Sequence, residues 1–414
     1  MSDSVVPPVA RVGVIGAGVV GACIAYALRK RGFDVVLMDK GEPGEGCSFG
    51  NLGAISMSSI VPLATPSVLK SVPSMLGDPN SPLFLPLRYL PKAAPWLARF
   101  VMSARPSVVA KNAAELVKLH AGAVQAHAEL TREVGVPELL VHRGQLHLYP
   151  SKAALQGDAA SWKLRREHGL KFRELDAAGI AELEPRMGSR YPVGIYLTDD
   201  ATILNPLRYV QAIVAAFVSA GGQVCKRDVR SLERQQSDGA ANGWAIHSER
   251  GTEVFSQLVV AAGAWSKQLL QSAGIHVPLE SQRGYHVQFK GGSSLVSRSI
   301  LLTDKKVFLA PMEGGLRIGG TVEIAGLQRP PNTKRSIILE GMARDLFPEL
   351  AGVPTTHWMG HRPCMPDSIP KIGSSGLPGL HIAVGHGHLG LTDSALSANK
   401  IVLSMLAEIG EKNH

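Results

Sequence analysis

Three glycines near the start of the chain have the spacing of a dinucleotide-binding turn. Gly16, Gly18 and Gly21 follow a short apolar run and precede an apolar helical segment, and Asp39 ends the next apolar run 23 residues after Gly16. In such a βαβ unit the glycines permit a tight turn, close approach of a pyrophosphate, and close packing of helix on strand. The N–H groups of the helix N-terminus then face the phosphates. The pattern predicts a bound dinucleotide, and FAD and NAD satisfy it equally.

Four later segments choose between the two cofactors. CSFGNLGAIS (residues 47–56) resembles the Ser-x-x-Asn-x-Gly stretch of the D-amino acid dehydrogenase branch of the glycine/D-amino acid oxidase flavoprotein family. LVVAAGAWS (258–266) resembles the second FAD segment of that family, and GHRPCMPDSIPKIG (360–373) resembles its Gly-x-Arg-Pro-x-x-Pro-Asp-x-x-Pro-x-x-Gly signature. GHGHLGLT (385–392) follows in the expected order. The resemblance covers essentially the whole chain and implies FAD as the cofactor.

The same resemblance implies which residues contact FAD. The turn before the last helix would direct N–H groups at the N1/C2-carbonyl edge of the flavin, where a positive dipole stabilises the reduced anion. Val229 would lie beside the adenine, and Asp39 would accept hydrogen bonds from ribose hydroxyls. The expected cofactor contacts are Gly16, Gly18, Val20, Gly21, Asp39, Lys40, Ser48, Asn51, Gly53, Val229, Ala262, Gly263, Trp265, Gly385, His386, Gly387, Leu389, Gly390 and Thr392.

Arg362 is the principal candidate for substrate binding. A guanidinium presents a planar fork that matches a carboxylate with two hydrogen bonds, which lysine cannot reproduce. In the resembling family an arginine at this Gly-x-Arg position holds the carboxylate of an amino acid over the flavin. An arginine in a salt bridge between domains is the alternative.

Three further side chains are weaker candidates for contact with substrate. Tyr285 belongs to a Gly-Tyr element resembling that of the same branch, and it is expected to donate its hydroxyl to the carboxylate, to form one wall of the pocket, or to pack in the core. His286 and His361 depart from the family pattern, so each is a candidate specificity residue. No His, Asp or Glu cluster has metal-ligand spacing, and no metal site is expected.

The order of apolar runs predicts how these residues are positioned. An α/β unit opens the chain, antiparallel strands occupy the middle, and a strand–turn–helix unit closes it, as expected of a discontinuous Rossmann-like FAD-binding domain with a second α+β domain on a mainly antiparallel sheet. We place the FAD-binding domain at residues 1–65, 200–276 and 356–414 and the substrate domain at 66–199 and 277–355. Prolines are expected to prevent long helices between residues 55 and 106, and one long helix is expected over 111–134.

Composition limits the surroundings and partners. The 414 residues carry a net charge of +9, with 14 Lys/Arg against 6 Asp/Glu between Arg88 and Arg173. The basic residues lack interleaved aromatics, which disfavours nucleic acid and leaves an anionic membrane surface, a carboxylate substrate or a solvated basic face. Scattered cysteines and the lack of a secretory signal in residues 1–11 lead us to expect a cytoplasmic protein, with peripheral association at the inner face of the membrane as an open alternative.

These features favour one reaction and leave alternatives. We expect FAD-dependent removal of hydride from the α-carbon of a small amino acid, either an acyclic D-amino acid or a cyclic one such as D-proline or cis-4-hydroxy-D-proline. The electrons would pass to a quinone or another carrier. The alternatives are an oxidase that uses O₂, an NAD-dependent dehydrogenase, and a non-catalytic FAD-binding subunit of a larger complex.

Overall fold

The computed structural model describes residues 10–77, 81, 83–235 and 243–411. Its strands are β1 (Arg11–Ile15), β2 (Asp34–Asp39), β3 (Ala54–Ile55), β4 (Leu83–Phe84), β5 (Leu140–Val141), β6 (Gln145–Tyr149), β7 (Arg173–Asp176), β8 (Val193–Leu197), β9 (Ala201–Ile203), β10 (Gln223–Lys226), β11 (Val229–Gln235), β12 (Gly243–Ser248), β13 (Gly251–Phe255), β14 (Gln257–Val260), β15 (Glu280–Phe289), β16 (Ser299–Leu302), β17 (Val307–Met312), β18 (Gly315–Gly319), β19 (Val322–Ile324), β20 (Thr355–Cys364), β21 (Lys371–Ser374) and β22 (Leu380–Val384). Its α-helices are α1 (Val19–Lys30), α2 (Pro66–Gly77), α3 (Leu90–Ser103), α4 (Pro106–His120), α5 (Ala123–Glu133), α6 (Lys152–Gly157), α7 (Ala159–Glu167), α8 (Ala177–Leu183), α9 (Pro206–Ser219), α10 (Ser266–Ser272), α11 (Thr333–Leu346) and α12 (Gly390–Glu411).

A six-stranded sheet is built from segments far apart in the chain. Its order is β10-β2-β1-β14-β22-β21, and all neighbours are parallel except β21, which runs antiparallel to β22. The apolar runs of its central strands are buried on both faces, as parallel strands require. Helices α1, α9 and α12 cover one face, and the antiparallel strands β11, β12 and β13 cover the other.

A second, ten-stranded sheet has the order β4-β19-β15-β18-β17-β16-β6-β8-β7, with β20 paired to β15. Its pairs are antiparallel apart from β16 with β6 and β19 with β4. Helix α11 packs its apolar side on this sheet. The α/β fold class with a Rossmann-like unit and a second, mainly antiparallel unit is therefore confirmed.

The strands of the two sheets alternate along the sequence. The division of the chain into an FAD-binding domain and a substrate domain at residues 65, 199, 276 and 355 remains a prediction. Strand β20 lies just beyond its last boundary, yet it pairs with β15 from Glu280↔Cys364 to Phe289↔Thr355, so this strand belongs to the ten-stranded sheet.

The expectation of no long helix between residues 55 and 106 is wrong. Helices α2 and α3 span 12 and 14 residues and contain Pro73 and Pro95. A proline in a helix removes one hydrogen bond, but α3 buries Ala93 and Trp96, and the Trp96 indole donates to the Cys364 carbonyl. Tertiary packing therefore outweighs the local cost of proline here.

The single helix expected over residues 111–134 is also wrong. The chain forms α4 and α5, which are separated at Ala121 and Gly122. Gly122 has a left-handed backbone (φ 80°), which ends one helix and begins the next. A continuous apolar stripe concealed this break.

Replacing Gly21 by alanine should destabilise the fold through the first βαβ unit. A Cβ at Gly21 would overlap the carbonyl oxygen of Gly16, so α1 would have to move away from β1. We expect a loss of about 1–3 kcal/mol in the free energy of unfolding, measured by urea denaturation. Gly341→Ala is the matched control: Gly341 lies inside α11 with no atom within 4 Å of an added Cβ, and a gain of about 0.5–1 kcal/mol is expected. Equal effects of the two substitutions would contradict this account.

Candidate active site

A cavity of about 1030 Å³ lies where the carboxyl ends of four adjacent parallel strands meet the ten-stranded sheet. Ile15, Asp39, Ala261 and Gly385, at or just after the ends of β1, β2, β14 and β22, all line it. Open α/β sheets bind ligands at this edge. The volume is at the upper end of the roughly 300–1,000 Å³ of small-molecule and cofactor sites.

The glycine turn has the geometry expected of a phosphate cradle. Gly16 has φ 109° and lies against the backbone of Ala261, where a Cβ would overlap the carbonyl oxygen. Gly16, Gly18 and Val20 line the cavity, whereas Gly21 acts by packing. The first N–H of α1, that of Val19, donates to Ser48 Oγ at 2.9 Å. The N-terminus of α1 is thereby fixed at the cavity, as a pyrophosphate site requires.

One end of the cavity suits the adenosine half of a dinucleotide. The Asp39 carboxylate accepts from the N–H groups of Ala17 (2.8 Å) and Gly41 (2.9 Å), which holds it rigidly at the end of β2. Lys40 lies over the Trp265 ring at 4.1 Å. Val229, Ala262 and Gly263 complete this wall.

The segment after β2 folds beneath the middle of the cavity. Ser48 and Asn51 line the cavity, and Asn51 Oδ1 accepts from the Gly53 N–H at 2.7 Å. Gly53 lies outside the lining. It has φ 78°, and a Cβ there would overlap the carbonyl oxygen of Ile203, so its role is to let this segment pack.

The other end of the cavity is formed by the turn into α12. Gly385, His386, Gly387, Leu389 and Gly390 all line it. Thr392 is buried behind the lining, where its hydroxyl accepts from the Ser56 N–H at 3.1 Å. The N-terminus of α12 therefore faces the cavity, so its positive dipole end acts on whatever occupies this end.

Arg362 lies on β20 and faces the cavity from the ten-stranded sheet. Its Nη1 donates to the Thr321 carbonyl at 3.0 Å, and within the described ranges no carboxylate lies within ion-pair distance of it. Burial lowers the pKa of the guanidinium, while Cys364 and Cys47 act to raise it. Gly284 on the paired strand makes room, because a Cβ there would overlap the guanidinium.

The three weaker candidates have different outcomes. His361 lines the cavity; its Nδ1 lies 2.8 Å from Ser281 Oγ, and its ring meets the edge of Trp265. Tyr285 borders the cavity, but it is a core residue whose hydroxyl donates to Glu323 and accepts from the Asn332 N–H.

His286 does not line the cavity. Its ring stacks on Trp358 at 5.1 Å, and Nδ1 bonds the Gly50 carbonyl. The expectation that His286 and the Tyr285 hydroxyl contact substrate is not supported, because both are committed to the protein interior.

Several lining residues of the substrate-side wall were missed by sequence reasoning. They come from four strands, one helix and the turn before β17, which alternate with unrelated segments, so no local motif marks them. Only a correct prediction of how the strands of the ten-stranded sheet pair would have brought these residues together. These residues are Gln145, His147, Arg165, Leu301, Lys306, Phe308 and Val322.

The residues fit FAD. The glycine turn beside Asp39 and the N-terminus of α12, joined by one continuous lining, provide for a dinucleotide and for an electron-accepting ring. The fold and site define a flavin-dependent oxidoreductase. The profile of the FAD dependent oxidoreductase (DAO) family matches residues 11–402, and the chain belongs to that family. The family is FAD dependent, which selects FAD over NAD.

Relatives of known name match over almost the whole chain. A D-amino-acid oxidase of Bradyrhizobium diazoefficiens is 37% identical over 404 residues, covering 96% of this chain and 94% of the relative. A D-amino acid dehydrogenase of Dechloromonas aromatica is 32% identical, covering 94% and 95%. Among solved structures, the glycine oxidase of Geobacillus kaustophilus superposes with a TM-score of 0.72 at 21% identity, covering 96% and 95%.

Buried neutral histidines should make the protein acid-labile. Desolvation lowers the pKa of His286 and His147 to about 3, and that of His127 and His388 to about 4. Each folded-state pKa is below the roughly 6.5 of an unfolded imidazole, so the unfolded chain binds more protons below pH 6.5. Stability is therefore complete above pH 6.5 and is lost as the pH falls towards 4.

His286→Asn should reduce this pH dependence, because the amide can still donate to the Gly50 carbonyl but does not titrate. In urea denaturation with saturating FAD, we expect its slope of unfolding free energy between pH 6 and 5 to be smaller by up to about 1.4 kcal/mol per pH unit. The slopes of wild type and variant should coincide at pH 7–8. Identical slopes at pH 5–6 would contradict burial of a neutral imidazole.

Proposed function

We propose that this chain oxidises the α-carbon–nitrogen bond of an amino acid, with the D configuration favoured and Arg362 holding the carboxylate. Support comes from the Arg362 guanidinium, which is surrounded by protein, open to the cavity, and without a carboxylate partner among the described residues. A cation enclosed by protein without a partner is costly, so an anionic ligand in the cavity best explains this arrangement. The names of the D-amino-acid oxidase and dehydrogenase relatives agree with an amino acid.

The chain's residues bind, orient and shield the substrate. FAD, when bound, supplies the acceptor for the hydride that leaves the α-carbon as the amine becomes an imine, which water then hydrolyses. Arg362 fixes the carboxylate through its free N–H groups, and Phe308 and Val322 provide apolar surface that excludes water. Burial lowers the pKa of His361 to about 4. Its imidazole is therefore neutral above pH 5 and does not compete with Arg362 for the carboxylate. No proton-transfer dyad is required if the amine binds uncharged.

Two substrate types follow from the sequence, acyclic D-amino acids and cyclic secondary amines. The departures from the family pattern at His286 and His361 favour the cyclic alternative, but of these two residues only His361 lines the cavity. D-proline and cis-4-hydroxy-D-proline therefore belong in the substrate panel beside D-alanine, each with its L enantiomer.

Anaerobic titration of the FAD-loaded protein tests the function directly. We expect a D-amino acid to bleach the flavin absorbance of wild type. Arg362→Gln should keep its FAD but lose roughly 10²–10³-fold in kcat/KM, because truncating a buried charged partner costs about 2–5 kcal/mol. Arg362→Lys should recover little, since an ammonium lacks the planar fork.

The control is Arg166→Gln, which removes an exposed arginine of α7. If no amino acid bleaches the wild-type flavin, the chain is a non-catalytic FAD-binding subunit. If Arg362→Gln and Arg166→Gln bleach equally fast, Arg362 is not the carboxylate anchor.

We further propose that the electrons leave to a membrane quinone, with the protein resting on the membrane surface. No helix in the ranges described combines the length and apolar character needed to cross a bilayer. Support comes from the outer side of residues 87–105, where Leu87 (84%), Leu90 (41%), Val101 (53%) and Met102 (52%) are exposed. The exposed cations beside them are Arg88, Lys92, Arg99 and Arg105, and residues 79–114 contain no Asp or Glu. Apolar and basic side chains on one surface suit an anionic interface.

Vesicle sedimentation tests this surface. Wild type should bind anionic vesicles at low salt and release at high salt, whereas Arg88→Glu/Arg99→Glu should bind at least about tenfold more weakly, at roughly 1 kcal/mol per charge. Arg234→Glu/Arg250→Glu, on the remote three-stranded sheet, is the charge-matched control and should bind like wild type. Binding that does not distinguish the two variants would refute the assigned surface, and a wild type that ignores the vesicles would refute the membrane proposal.

A further inference from the structure

The part of the cavity bounded by the ten-stranded sheet and α7 is lined by cations and by no acid among the described residues. Arg362 enters from β20, Lys306 precedes β17, and Arg165 enters from α7. Asp39, Glu42, Glu45 and Asp228, the acids of the lining, are all at the adenosine end. One cation suffices for the α-carboxylate, so the others have no role in the proposed reaction.

Arg165 resembles Arg362 in its surroundings. Its Nε donates to the Ser58 carbonyl at 3.0 Å and its Nη1 to the Ser161 carbonyl at 3.3 Å, while the guanidinium packs over Trp162 at 4.6 Å. Within the described ranges, Nη2 donates no hydrogen bond and no carboxylate lies within 4.0 Å. Backbone carbonyls and an aromatic face thus fix the side chain and leave its charge towards the cavity.

The nearest acids are already committed to other groups. Asp200 and Asp158 lie close enough to raise the pKa of Arg165 against the larger lowering by burial. The Asp200 carboxylate, however, accepts from the hydroxyls of Ser56 and Ser58 and from the Ser58 N–H. Asp158 accepts from the Tyr149 hydroxyl at 2.9 Å. Neither carboxylate lines the cavity, so an anion there would meet Arg165 without displacing them.

The polar neighbours of Arg165 suit a carboxylate as well. His147 and Gln145 line the same wall and bond to each other at 2.7 Å. Burial lowers the pKa of His147 to about 3, with Arg165 adding to the effect, so this imidazole is neutral and available for hydrogen bonding. A neutral aliphatic side chain of a substrate would instead leave a buried guanidinium, an imidazole and an amide facing apolar atoms, which is unfavourable.

We propose that Arg165, with Lys306 and His147, forms a second anion subsite that binds a side-chain carboxylate, so that the preferred substrate is a dicarboxylic amino acid. The inference rests on the proposed function, in which Arg362 holds the α-carboxylate. Arg165 acts at the opposite end of the substrate and discriminates between acidic and neutral side chains.

A substrate series separates the two anion sites. Wild type should oxidise D-aspartate, D-glutamate or D-2-aminoadipate at least about tenfold more efficiently than the neutral D-asparagine and D-glutamine, with the best chain length reporting the span between the sites. Arg165→Gln should lower kcat/KM for the acidic substrates by about 10²-fold and change that for D-alanine less than about threefold. Arg165→Lys should retain part of the preference, and Arg166→Gln should behave as wild type.

Binding without turnover supplies an independent measurement. Malonate, succinate and glutarate, added to the FAD-loaded protein, should perturb the flavin spectrum at lower concentration than acetate or propionate, and Arg165→Gln should abolish that difference. If D-alanine and the acidic amino acids bleach the flavin equally well in wild type, the second subsite is refuted while the oxidation stands. If Arg165→Gln lowers kcat/KM by the same factor for all substrates, Arg165 assists substrate entry in general, and the subsite is also refuted. If no amino acid bleaches wild type, the proposed function fails first.

Discussion

The pairing of β15 with β20 is the constraint on which the site depends. Ten consecutive residue pairs tie these strands together, and β20 leads directly to β21 and β22 of the other sheet. The register places Arg362 opposite Gln282. Gly284 lies two residues further along β15, opposite Gly360. A shift by one residue would turn the guanidinium to the other face of the sheet. The Gly387 N–H donates to the carbonyl of Pro363 in β20 at 2.8 Å, so β20 also holds the turn from which α12 begins.

The two halves of the cavity differ in how they are held. At the dinucleotide half, backbone groups and tight glycine contacts carry the geometry, as the Gly16 and Gly21 packing and the Asp39 hydrogen bonds show. At the substrate half, charged side chains from separate elements are fixed by one or two backbone carbonyls, Thr321 for Arg362 and Ser58 and Ser161 for Arg165. The first arrangement tolerates little change in sequence, whereas the second lets individual side chains vary on a constant frame.

This difference explains what the sequence could predict. The glycine turn, the acid at Asp39 and the GHRPCMPDSIP segment are local patterns with fixed backbone requirements, so the cofactor was predicted correctly. Arg362 lines the cavity as expected, and its role as carboxylate anchor stays a prediction. Arg165, His147 and Lys306 carry no local signal, because only the non-local pairing of β6, β16 and β17 and the docking of α7 bring them together. The error in α3 has the same origin, because burial of Trp96 overrides the proline. The error over residues 111–134 is local, because the left-handed backbone of Gly122 interrupts an apolar stripe that otherwise continues.

The contact between Gly284 and Arg362 also limits how this enzyme can diversify. Any side chain at position 284 would occupy the space of the guanidinium, so the floor of the cavity on β15 cannot be remodelled without loss of the anchor. Lineages that acquire new substrates would therefore change the wall formed by β6, β16, β17 and α7 and leave the paired strands as they are. Positions 284 and 362, although 78 residues apart, would be inherited as a unit.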